Sequence, residues 1–224
     1  MRVLEERLYE LRKRIDEIRP EARFIVVTKG QPVSLVEQLY TLGVREIAEN
    51  RVVEAIEKMQ HFPFDMRCHF IGILQRNKVA KAVQHFCMIQ SVGSIALAEA
   101  ISAAAQKSNM VIPILLQVNF QKKTKYGFSF EEVYAATERI LQLPNISLNG
   151  LMTIAPKVDH DEKGAIRETF KGMQNLFHEL KESLCREIPH FCELSMGMSR
   201  DFELALEYGA TIIRIGSYLF SHLS

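Results

Sequence analysis

In the stretch FIVVTKGQPV, residues 24 to 33, a lysine stands where an apolar strand runs out. Phe24 to Val27 has the composition of a buried strand, and Gly30 with Pro32 forces a turn. An ammonium placed there is either a solvated strand-end lysine or a nucleophile at the opening of a pocket. A nucleophilic lysine must present the neutral amine, which desolvation favours. Two other stretches carry matching chemistry. In ELSMGMSRDFELAL a strand gives way to a helix through Met-Gly-Met-Ser, and in IIRIGSYLF Gly216 and Ser217 open a short helix just after Arg214. Small residues and exposed amides ahead of a helix make a phosphate cradle. A lysine at one strand end and a cradle at two others suit a ligand with an aldehyde at one end and a phosphate at the other. Arg214 would then lie against the ligand's body.

These residues need a scaffold that brings separate strand ends together, and the hydrophobic pattern supplies one. Apolar, β-branched segments fall at 23–28, 45–49, 68–72, 88–92, 111–119, 147–153, 192–196 and 211–216. Helical stretches separate them at 33–42, 51–60, 77–85, 94–107, 130–141, 162–183 and 200–208. The strands show little polar alternation, which is the mark of a parallel sheet covered by helices. Ser94 and Asp201 stand at helix N-caps, and Gly43 and Gly209 at C′ positions. Ahead of the first strand, Leu4, Leu8, Leu11, Ile15 and Ile18 step by four and three along one helix face. The expectation is an α/β chain: a single (β/α)8 TIM barrel over residues 1–224, with an extra N-terminal helix and no C-terminal β-domain. In such barrels function collects at the C-terminal ends of the strands, and a phosphate site after the seventh and eighth strands is a recurrent feature.

Composition narrows the function further. With 28 basic and 27 acidic residues the net charge is +1, which argues against a nucleic-acid binder. No apolar run approaches a membrane span, and the mixed-charge N-terminus is no signal peptide. Cys68, Cys87, Cys185 and Cys192 form no CxxC pair and show no metal-site spacing. They are read as reduced thiols of a cytoplasmic protein, and a monomer is expected.

VTKGQPV, IAENRVVEAIEK, HFIGILQRNK, LLQVNFQKKTKYGF, GLMTIAP, LSMGMSRDFELALEYGAT and IIRIGSYLF occur in order from residue 27 to residue 220. This resembles the pyridoxal phosphate homeostasis protein family, the proline synthetase co-transcribed homologues, which share the barrel of bacterial alanine racemase. The resemblance covers essentially the whole chain. It implies that Lys29 forms the internal aldimine with pyridoxal 5′-phosphate (PLP). It also implies that Ser199, Gly216 and Ser217 bind the phosphate and that Arg214 faces the pyridine nitrogen. Asn50, His69, Met152 and Ser195 would line the pocket. The chain departs from the family pattern at Ala48, where a glycine is usual, in Val27-Thr28-Lys29-Gly30, and in Gln75-Arg76-Asn77-Lys78.

Several of these residues have simpler readings. His69 sits inside a strand, where a core histidine bonded to backbone is an equal alternative. Asn50 fits a helix cap, and Met196 and Met198 fit packing. Lys122, Lys123 and Lys125 form a basic loop, solvated or a gate. A barrel racemase takes its second acid/base from a separate β-domain, and Tyr126 and Tyr218 are the only tyrosines near the rim. The resulting expectation is a PLP-binding protein of cofactor homeostasis and delivery, with apo PLP-dependent enzymes as recipients and no defined turnover. A weak PLP-dependent amino-acid racemase is the alternative, and a cofactor-free Schiff-base aldolase ranks behind both.

Overall fold

The computed structural model describes residues 2–120, 126–156 and 163–221, save the side chain of Lys163. Eight strands alternate with helices: β1 (Arg23–Val27), β2 (Glu46–Glu49), β3 (Arg67–Phe70), β4 (Met88–Val92), β5 (Ile112–Val118), β6 (Ile146–Thr153), β7 (Glu193–Met198) and β8 (Ile212–Ile215). The helices are α1 (Arg2–Ile18), α2 (Val33–Thr41), α3 (Val52–Met59), α4 (Val79–His85), α5 (Ile95–Lys107), α6 (Val133–Leu141), α7 (Lys163–Glu182), α8 (Phe202–Glu207) and α9 (Ser217–Phe220). The strands close into one parallel barrel in sequence order. The seam joins β1 to β8, with Phe24 beside Ile213 and Val26 beside Ile215.

Because side chains alternate across a strand, each strand feeds two cores. Ile25, Ala48 and Ile212, with Val27 and Ile71, fill the barrel interior, and Met88, Leu115 and Met152 fill another part of it. The opposite faces, including Val26, Ile47, Phe70, Ile89 and Ile213, pack beneath the helices in the larger outer core. The expected extra helix is α1, whose Leu4, Leu8, Leu11 and Ile15 are all buried. It packs against α8 and α9.

Several strands are shorter than the hydrophobic pattern suggested. β3 stops at Phe70 rather than at Gly72, although Ile71 N still donates to Glu49 O at 3.0 Å. A Cβ on Gly72 would lie 2.1 Å from Asn50 O, so only a residue without a side chain permits that approach. The helix expected at 77–85 splits into a 3₁₀ turn over Arg76–Lys78 followed by α4. Caps follow the sequence closely. Ser94 Oγ accepts from Leu97 N at 3.2 Å, and Gly43 and Gly209 take left-handed φ values of 83° and 86° after their helices. Asp201 occupies the N-cap of α8, but its carboxylate accepts from Met198 N instead of a helix amide.

Candidate functional site

The inward alternation of Ile25 and Val27 carries on to Lys29, two residues past β1 and exposed at the barrel mouth. The intervening residue, Thr28, faces outward and is fully buried. Its hydroxyl donates to Glu49 Oε1 at 2.8 Å. Lys58, reaching across from α3, donates to Thr28 O at 2.9 Å and to Glu49 Oε1 at 2.7 Å. The peptide ahead of Lys29 is thereby clamped from outside the barrel by a carboxylate at the end of β2 and an ammonium on α3. Neither Glu49 nor Lys58 was assigned a role from sequence. The pattern marks Glu49 as a strand-end polar residue, but only the fold brings Lys58 to it.

On the other side of the seam, the turns after β7 and β8 meet. Ser199 Oγ accepts from Gly216 N and from Tyr218 N, each at 3.1 Å. The hydroxyl, Gly216, the exposed Ser217 and the first amides of α9 thus share one corner of the rim, as the repeated small-residue turns implied. Gly197 makes the corner possible: at φ 88° a Cβ would stand 2.5 Å from Ala205 Cβ. Helix α9 has only four residues and is held from behind by α1, where Arg7 donates to Leu219 O at 2.8 Å and to Ser221 O at 2.6 Å.

Arg214 points into the barrel below this corner. It is 3% exposed and donates to Ser195 Oγ at 2.8 Å and to Thr153 O at 2.7 Å. Burial lowers its pKa to about 10, with the nearby Asp201 carboxylate opposing, so it remains a cation at neutral pH. From Arg214 a polar chain runs downward. Ser195 Oγ donates to Gln90 Oε1 at 2.7 Å, and Gln90 Nε2 meets His69 Nδ1 at 3.1 Å. Gln90 was not foreseen; it lies within an apolar strand, and only the closed barrel aims it at Ser195.

The structure therefore brings Lys29, Asn50, Ser199, Arg214, Gly216 and Ser217 to the C-terminal end of the barrel. Asn50 is half-buried and does not cap α3, whose N-cap position is Arg51. Ser195, Met152 and His69 are fully buried. Ser195 touches the site through Arg214, Met152 packs in the barrel interior, and His69 is linked to the site only through Gln90. His69 bonds to side chains, not to backbone. Of the two rim tyrosines, Tyr126 donates its hydroxyl to Ser91 O at 2.6 Å, and Tyr218 packs edge-on against Phe202. Lys122, Lys123 and Lys125 lie outside the described residues. Among the described residues there is no group of three His, Cys, Asp or Glu side chains able to hold a metal. No described helix is long and apolar enough to cross a membrane.

This architecture is that of a racemase-type barrel: the family described as alanine racemase, N-terminal domain, matches residues 2–223. Alanine racemase of Clostridium difficile 630 superposes with a TM-score of 0.81 at 17% identity, over 99% of this chain and 57% of that one, which is a likeness of fold alone. Closer similarity lies elsewhere. The pyridoxal phosphate homeostasis protein of Aquifex aeolicus is 38% identical over 89% of this chain and 86% of its own, and that of Bos taurus 35% over 89% and 77%. PipY of Synechococcus elongatus PCC7942, in a structure with PLP bound, is 35% identical with a TM-score of 0.86, covering 97% of this chain and 100% of that one. The chain belongs to the pyridoxal phosphate homeostasis protein family.

Proposed function

We propose that this protein holds PLP on Lys29 at the mouth of the barrel and serves intracellular PLP homeostasis by delivering the cofactor to apo PLP-dependent enzymes. The observation that supports the reading is that three complementary groups sit on neighbouring strands and the turns after them: Lys29 past β1, the Ser199–Gly216–Tyr218 corner after β7 and β8, and the buried guanidinium of Arg214 on β8. The donor set fits the cofactor. Lys29 would supply the amine for its aldehyde. The hydroxyls of Ser199, held by the Gly216 and Tyr218 amides, and of Ser217 would supply donors for a phosphate. Arg214, fixed by Ser195 Oγ and Thr153 O, would supply a donor for the ring.

Bound PLP supplies an electrophilic carbon and an electron-withdrawing ring. An arginine at the ring nitrogen leaves that nitrogen unprotonated, which weakens the electron sink and narrows the chemistry available. A two-base racemase also needs an acid/base group opposite the lysine. The Tyr126 hydroxyl is committed to Ser91 O and Tyr218 to packing against Phe202. That favours a holder over an enzyme. We further place the protein in the cytoplasm as a monomer, which size-exclusion chromatography with light scattering tests.

The decisive experiment is the visible absorbance of the purified protein with added PLP, before and after borohydride, beside Lys29→Ala. A yellow band that borohydride removes, and that the variant lacks, is the expected result. A colourless protein that takes up no PLP would sink the proposal. Delivery is tested separately: the loaded protein should reactivate an apo PLP-enzyme faster than an equal concentration of free PLP. Amino-acid-dependent racemisation in a chiral assay would restore the enzyme reading.

A further inference from the structure

Gln90 is a fully buried polar side chain in the middle of the barrel, outside every motif that marks the rim. Met88 fills the barrel interior and Ile89 the outer core, so Gln90 follows Met88 inward. In a closed ring of eight strands in sequence order, β3 and β4 stand opposite β7 and β8. Gln90 bridges these two walls. Its Oε1 accepts from Ser195 Oγ at 2.7 Å, and its Nε2 meets His69 Nδ1 at 3.1 Å. Ser195 Oγ in turn accepts from Arg214 Nη1 at 2.8 Å. Side chains from β3, β4, β7 and β8 thus form one chain across the barrel, and Arg214 is its upper end.

We propose that Gln90 is a positioning residue: by accepting from the Ser195 hydroxyl it holds the Arg214 guanidinium in the orientation that meets the ring of bound PLP. This rests on the reading above that Arg214 faces that ring.

A hydroxyl has one hydrogen to give and two lone pairs, and its hydrogen rotates to suit its neighbours. With the hydrogen committed to Gln90, a lone pair of Ser195 is left for Arg214. That fixed acceptor matters because the buried cation is held by neutral groups. Thr153 O takes Nη2 at 2.7 Å, while Asp201 acts on Arg214 through its charge and gives its carboxylate to Met198 N. Two anchored nitrogens set the plane of a guanidinium, whose donors form a rigid fork. If the Ser195 anchor loosens, the group can swing about its remaining bond to Thr153 O. Gln90 itself is held at both ends of its amide, by Ser195 on one wall and His69 on the other. An apolar side chain of like size would fill the same space and leave the buried Ser195 hydrogen without an acceptor.

The test compares Gln90→Met, which keeps the volume, with Gln90→Glu, which keeps the acceptor. A carboxylate can accept from Ser195 through one oxygen and from His69 Nδ1–H through the other. By absorbance titration of the whole protein, Gln90→Met should weaken PLP binding about fivefold, the effect of one neutral hydrogen bond. Gln90→Glu should bind nearly as the native protein does. In a Ser195→Ala background Gln90→Met should cost little further, because both changes remove the same link. Gln90→Asn, polar but one methylene too short to reach Ser195, replaces Gln90→Met if that variant does not fold. The PLP-free protein gives an independent readout by NMR with isotope-labelled arginine. The Arg214 Nη signals, identified by their loss in Arg214→Lys, should be sharp in the native protein and in Gln90→Glu, and broadened in Gln90→Met. Additive losses with Ser195→Ala, equal losses in Gln90→Met and Gln90→Glu, or Arg214 signals indifferent to Gln90→Met would overturn the positioning role. Arg214 signals that respond in a protein taking up no PLP would uphold the link to Arg214 and sink the cofactor reading instead.

Discussion

Ser199 Oγ lies 3.1 Å from both the Gly216 and the Tyr218 amide, so one hydroxyl from the turn after β7 ties down the start of the helix after β8. Losing this acceptor loosens the corner, and a neighbouring donor for a phosphate goes with it. Ser199→Ala should weaken PLP binding about tenfold, about 1.4 kcal/mol, close to the lower end of the range for a hydrogen bond to a charged group. An equilibrium titration followed by absorbance checks this; unchanged affinity would remove Ser199 from the phosphate site.

The Lys58–Glu49 pair is a different kind of contact. Lys58 is 16% and Glu49 2% exposed at the side chain. Removing one partner from such a pair strands the other, at a cost of about 3 kcal/mol. Lys58→Met should lower the urea midpoint accordingly, and should slow capture of PLP by Lys29, whose preceding carbonyl loses its clamp. A loss of stability with no change in capture rate would confine Lys58 to a structural role.

His69 offers a titration. Burial opposes its charge, but the Cys87 thiol and the Glu46 carboxylate outweigh that, and its pKa is raised from 6.5 to about 9. A raised pKa means that the folded state binds the proton more tightly. Alone, this contributes stability present in full below about 6.5 and lost as pH rises through about 9. Cys87, shifted down, contributes with the opposite sign, so the two offset each other through neutral pH. The ring resonances of His69 should titrate near 9 by NMR, and Cys87→Ser should lower the midpoint. A wild-type midpoint at or below the ordinary histidine value would contradict this geometry.

Gly197 tests the corner from the backbone. Alanine there would need a left-handed φ of 88° and would press on Ala205 Cβ at 2.5 Å. The conformation alone costs roughly 1–2 kcal/mol. Gly197→Ala should therefore lower the melting temperature and also weaken PLP binding, whereas alanine at the open position Gly164 should do neither.

Much of this was legible in the residues. The eight strands were placed because parallel strands buried on both faces read as continuous apolar runs, and the turns that meet at Ser199 were legible because glycine and serine precede α8 and α9. Strand ends were harder. Just beyond the ends of β3 and β2, Gly72 meets Asn50 O, a contact that no local pattern carries. Side chains acting across the barrel were harder still. Gln90 reads as an ordinary strand residue until closure puts it between Ser195 and His69, and Lys58 reads as a helix-surface lysine until α3 lies over the end of β1. His69 was recognised as notable without its partners, since Glu46, Arg67 and Cys87 come from three separate strand beginnings.

The seam between β1 and β8 has a consequence for how the protein comes into being. Lys29 extends the first strand and the Gly216 corner extends the last, and α9 docks on α1 through Arg7, more than two hundred residues earlier in the chain. During synthesis every other strand can pair with a predecessor, but the two halves of the rim meet only when the final strand has emerged and closed the ring. Such long-range closure is slow compared with local pairing. A chain halted before β8 would display the lysine without the Ser199–Gly216 corner, so the capture of PLP proposed above would report that the barrel has been finished.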